Sequence, residues 1–136
     1  MHQVSSEDKA FQQAFETGLL LPAEFSHESH LRLAYIYLCQ ADLAPATDKM
    51  RTAILNFLSH HAIDQTKYHE TVTQAWLGVL KGLMDKAEMS KSAKEFMVRH
   101  PQLVEKGVML QYYSEARLFS EEAKQAFLSP DLRPLR

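Results

Sequence analysis

The sequence predicts an all-α fold, a single helical bundle of about five to seven helices. Three observations carry this expectation. Leu and Ala together number 33 of the 136 residues, against 9 for Val and Ile, and β-branched residues are what strands favour. Gly and Pro total 9, too few for the turns of an all-β domain. Apolar residues recur at three- and four-residue spacing, as in Met50, Ala53, Ile54, Phe57 and Leu58, which is the helical period. The length suits one domain, residues 1–136, with a core of its own.

Each element can be justified in order. Ser5 or Ser6 caps a first helix with Glu7 and Asp8 in its first turn, and Gly18 ends it. Ser26 caps a second, from about His27 to Gln40. Pro45 suits a first helical position, so a third runs from about Ala46 to His61. Asp64 or Thr66 caps a fourth that reaches about Lys86, with Gly78 and Gly82 inside it. Those glycines point to close packing by a neighbour or to local irregularity. Ser92 and Glu95 have capping-box spacing for a short fifth helix that stops at His100-Pro101. Pro101 starts another through Leu103, Val104, Val108 and Leu110, and Ser120 opens a last one ending near Leu128. From Ser129 the prolines enforce an extended tail, and its apolar residues predict that it packs on the domain.

Composition excludes several functions. A net charge of −2 offers no basic field for nucleic acid. Cys39 is alone, which excludes a disulfide framework and suits a reducing compartment. No apolar run has membrane-spanning length, and the first residues lack the features of a signal peptide. The expectation is a cytoplasmic protein with no membrane contact.

Seven histidines are the compositional oddity. On a helical wheel Leu31, Ala34 and Leu38 fall within about 40° of His27, and His30 lies about 60° away. On the fourth helix Thr73, Trp76, Leu80 and Leu83 fall within about 40° of His69. All three histidines therefore sit on apolar faces in first turns. Short connections give an up-down-up order, which brings both first turns to one end of the bundle. Three converging imidazoles match the ligand set of an open metal site. Glu70, about 100° round from His69, is placed to be a fourth ligand, an orienting group or a general base. Tyr68, Thr73 and Trp76 are candidates to line the same pocket. His60 and His61 read as C-terminal caps, and Cys39 as a small buried hydrophobe.

Two stretches carry a resemblance: Phe25-Ser26-His27-Glu28-Ser29-His30-Leu31-Arg32-Leu33-Ala34 and Tyr68-His69-Glu70-Thr71-Val72-Thr73. Tyr112 to Ser120 and Pro130-Asp131-Leu132 extend it. Together they resemble an uncharacterised family of small, mostly bacterial helical proteins. Its pattern is Phe-x-His-x-Asp-His-(Leu/Val)-Arg-Leu-Ala with Tyr-His-Glu-Thr-(Ile/Val)-Thr. The resemblance runs from Phe25 onward and singles out His27, His30, His69, Glu70 and Thr73, with Ser29 where the pattern has Asp. It implies no particular activity. Three uses of the convergence stay open. One is a metal-dependent enzyme, hydrolase-like, in which His27, His30 and His69 hold a divalent metal such as Zn²⁺ and Glu70 is the base. Another is non-catalytic binding of a small polar molecule. The third is an interaction module whose histidines are structural.

Overall fold

A computed structural model describes residues 1–136, apart from the side chain of Lys106. Among the described residues the chain forms seven α-helices and four short 3-10 turns, with no strand. None of these helices is long and apolar enough to cross a membrane.

Helix α1 spans Ser6–Glu16. Its capping box is reciprocal: the Asp8 amide donates to the Ser5 hydroxyl at 3.0 Å, and the Ser5 amide to the Asp8 carboxylate at 3.1 Å. Gly18 follows the helix at φ +79, a left-handed conformation that glycine adopts without strain. Helix α2 occupies His27–Gln40, capped by Ser26, with the bounds the spacing predicts.

Helix α3, Leu43–His60, begins three residues before the expected Ala46 because Asp42 takes the extended N-cap position. Pro45 is therefore its third residue, still within the first turn, where a missing N–H forfeits no helical bond. Helix α4 is Glu70–Lys86. Asp64 caps only the 3-10 turn Gln65–Lys67.

The second half departs further from expectation. Helix α5, Ala93–Arg99, is capped by Ser92 as its spacing predicts. The helix expected after Pro101 is instead two 3-10 turns, Pro101–Val104 and Lys106–Gln111, separated at Glu105 with ψ 108. Leu103 and Met109 are the buried residues of this stretch. Glu105 interrupts the helical repeat between them, so each short turn buries its own residue against the bundle rather than following one continuous period. Two short helices follow, α6 at Glu115–Leu118 and α7 at Glu121–Gln125, capped by Ser114 and Ser120.

Helices α2, α3 and α4 pack on one another and enclose the core. Phe25, just before α2, lies 5.4 Å from Phe57 near the end of α3, while Tyr37 shares a groove with Asp48 and Thr52 near its start. Those two helices are antiparallel. His27 lies against Trp76, and Leu38 shares a pocket with Met84, so α2 and α4 run parallel. The up-down-up order holds.

Asp8 joins three elements. Buried at 1 % exposure, it accepts from Ser5, from Arg32 of α2 at 3.0 Å and from the Ala93 amide of α5 at 3.0 Å. Burial alone would raise its pKa, but the Ala93 and Ser5 amides and Arg32 outweigh it and hold the carboxyl below its usual range.

The tail bends at 131–133 and is largely exposed, Leu132 included, but it contacts the domain and seats Leu135 on the core. The Thr71 hydroxyl donates to the Ala126 carbonyl at 2.8 Å and accepts from the Leu128 amide at 3.0 Å. The Leu132 amide donates to Tyr112 at 2.9 Å. Leu135 then lies over Gly78, where an added Cβ would come within 3.3 Å of its Cδ1. This is the neighbour that the glycines of α4 accommodate.

Candidate functional site: an apolar cleft with two histidines

The N-terminus of α2 is built by local hydrogen bonds. The Ser26 hydroxyl accepts from the Ser29 amide at 3.2 Å, and the Ser29 hydroxyl donates to the Glu24 carbonyl at 2.8 Å. Ser29 thus braces the turn before the helix. Starting there, His27 and His30 project one turn apart into a cleft of about 520 Å³. Phe25, Val72 and Trp76 form its floor, and Met109, Leu118 and Phe119 belong to its outer wall.

The two imidazoles are held differently. His27 Nε2 lies 2.9 Å from the Leu103 carbonyl. A carbonyl only accepts, so Nε2 carries the proton. Its ring stands edge-on to Trp76, with centroids 4.9 Å apart. The His30 ring lies 5.9 Å from that of Phe25 and has no hydrogen-bond partner among the described residues. Burial, aided by the nearby His27, pushes its pKa down to about 4. His30 is therefore neutral at physiological pH.

His69 departs from its predicted role. It is the N-cap of α4, at φ −126 and ψ 106, outside the helix. Its Nδ1 accepts from the Val72 amide at 3.1 Å, and its Nε2 donates to the Leu118 carbonyl at 2.9 Å. Both nitrogens are in use, so the ring has no lone pair for a metal. Burial lowers its pKa, and nearby Lys124 also disfavours its charged form. The predicted convergence is thus partial. His27 and His30 share the cleft, while His69 stands behind its wall and holds Leu118. Among the described residues no group of three or more His, Cys, Asp or Glu side chains is arranged to hold a metal ion.

Glu70 is also committed elsewhere. Arg51 of α3 grips it as a fork, Nε to Oε1 at 2.8 Å and Nη2 to Oε2 at 2.6 Å. Tyr68 donates to Oε1 at 2.8 Å, and Gln74 donates to Oε2. The Arg51 hydrogen bonds dominate and hold the carboxyl at about 2, which makes it a poor base near neutrality. Tyr68 and the buried Thr73 lie with Glu70 on the side of α4 toward Arg51 and do not line the cleft. Of the three predicted ligand-contact residues, only Trp76 does.

The histidines share a pattern that spacing did not reveal. His2 Nε2 donates to Met84 at 2.6 Å, as His27 does to Leu103 and His69 to Leu118. Each ties a helix terminus or the chain start to a backbone carbonyl at least 49 residues away. His61 forms the cap of α3, as expected, and packs on Phe57. Cys39 is half-buried, and burial pushes its thiol up to about 11, so it is not a thiolate nucleophile at neutral pH.

The wall residues Met109, Leu118 and Phe119 were not anticipated. They come from 3-10 turns and a four-residue helix with no helical periodicity to mark them. Compared with family models, curated proteins and solved structures, the chain matches none.

Proposed function

We propose that the protein binds a small, largely apolar molecule in the cleft between α2, α4 and the 101–119 segment, without catalysing a reaction on it. The observation that carries this reading is His30, a neutral imidazole with no protein partner among the described residues, set among apolar walls. The His30 side chain is half-buried and its ring nitrogens are not sealed from solvent, so a ligand entering the cleft can reach them and supply a hydrogen-bond partner. The cleft volume of about 520 Å³ falls in the usual range for small-molecule sites, which combine apolar lining with few polar groups. A hydrolase needs an activated nucleophile or base. Glu70, the residue expected to serve, is ion-paired and faces Arg51.

Trp76 is the one tryptophan and lines the cleft, so its emission reports occupancy. A screen of small uncharged molecules by ligand-observed NMR should return binders that shift Trp76 emission. Val72→Phe, which fills the cleft without adding a second tryptophan, should abolish both signals. Binders that leave the emission unchanged and survive Val72→Phe would refute the reading.

A further inference from the structure

We infer that the cleft selects an uncharged aromatic molecule bearing a hydroxyl group, with the hydroxyl on the His30 imidazole and the ring among Phe25, Trp76 and Phe119. This rests on the cleft being a ligand site, as proposed above, and it names the class of ligand.

Charge is the first filter. No Lys, Arg, Asp or Glu is among the described residues that line the cleft. A carboxylate or phosphate would bring its charge into an apolar wall without a cation, and an ammonium would arrive without an anion. Burying an unpaired charge is far more costly than burying a hydrogen-bonded hydroxyl.

Hydrogen-bonding capacity is the second. His27 already commits its Nε2 N–H to the Leu103 carbonyl. His30 is free on both nitrogens among the described residues, and as a neutral imidazole it presents one N–H and one lone pair. A carboxylate has acceptors only, so it can take the N–H but cannot serve the lone pair. A hydroxyl both donates and accepts, so it satisfies whichever nitrogen faces it.

Shape is the third. Phe25 packs against His30 on one side, and Trp76 packs against His27 on the other. Phe119 lines the cleft with 67 % of its surface exposed, so its ring is open to a ligand. Aromatic faces and edges engage flat rings through offset and edge-on contacts. A saturated ring of equal size buries similar area but lacks those contacts.

The experiment compares para-cresol, toluene, benzoate and para-methylcyclohexanol by calorimetry and Trp76 emission at neutral pH. Para-cresol should bind about tenfold more tightly than toluene, the worth of one hydrogen bond, and more tightly than benzoate or the saturated alcohol. In His30→Leu the preference over toluene should vanish while toluene still binds. In His30→Asn, which restores a donor and an acceptor, part of it should return. Toluene, benzoate or methylcyclohexanol binding as well as para-cresol would overturn the inference and leave the cleft a ligand site. So would a preference that persists in His30→Leu. Failure of all four probes to give heat or shift Trp76 emission would overturn the ligand-site reading itself.

Discussion

Replacing Glu70 by Gln should destabilise the protein by about 2–3 kcal/mol at neutral pH. Glutamine is a permanent copy of the protonated acid, so the cost equals the free energy by which the fold prefers the carboxylate. Arg51, first among the causes, holds the carboxyl at about 2 against an ordinary 4.5, with Gln74 and Tyr68 assisting. That difference corresponds to about 3 kcal/mol. The Glu70 side chain is 9 % exposed but Arg51 is 34 % exposed, so water screens part of the interaction and the lower end of the range is favoured. The sign follows from the depressed pKa. The unfolded chain takes up its proton first, near 4.5. The contribution is therefore complete above that pH and is lost as pH falls toward about 2. Urea denaturation followed by helical circular dichroism, with both proteins at matched pH, measures the difference. It should be largest at neutrality and close as the solution is acidified below 4.5. A Glu70→Gln, Arg51→Met cycle should assign most of it to the pair. A loss under about 1 kcal/mol, or a difference that does not change with acid, would refute the assignment of Glu70 as a structural ion-pair partner and restore it as a candidate base.

Three further outcomes are expected. Partial burial favours the neutral form of His30, so the stability it confers is full above 6.5 and falls as pH drops to about 4; solvent screening brings the total to about 2 kcal/mol. His30→Leu should flatten that part of the stability profile, and an unchanged slope would contradict the burial argument. Asp8→Ala leaves Arg32 and the Ala93 amide without their acceptor and should cost about 2–4 kcal/mol. Faster hydrogen exchange at Ala93 should accompany it, and a loss under about 0.5 kcal/mol would mean water replaces the carboxylate. Gly78→Leu should displace the tail, because even a Cβ there comes within 3.3 Å of Leu135. The Leu132 amide, bonded to Tyr112, should then exchange faster, whereas unchanged protection would show that the tail is held without the notch.

Local signals defined α1, α2 and α5, whose caps at Ser5, Ser26 and Ser92 are short-range hydrogen bonds to residues three positions on. The same periodicity put His27 and His30 at one inward-facing end of α2, and the up-down-up order followed from connection length. These features depend on neighbours within one or two helical turns, which a linear sequence displays directly.

The roles of the site residues were decided elsewhere. His69 shows no sequence mark distinguishing a metal ligand from a cap; that depends on the Val72 amide in its own turn and on Leu118, 49 residues away. Glu70 faces Arg51 because α3 packs beside α4, and no wheel drawn on α4 alone contains Arg51. The 101–111 stretch carried an α-like apolar pattern, yet the chain breaks at Glu105 into two 3-10 turns that bury Leu103 and Met109 separately against the bundle. The sequence alone determined the helical class, the positions of the first caps and the end of the bundle where the histidines gather. Tertiary structure decided which histidines tie backbone and which one lines the cleft without a protein partner among the described residues, because a hydrogen bond between distant segments exists only after the helices have packed.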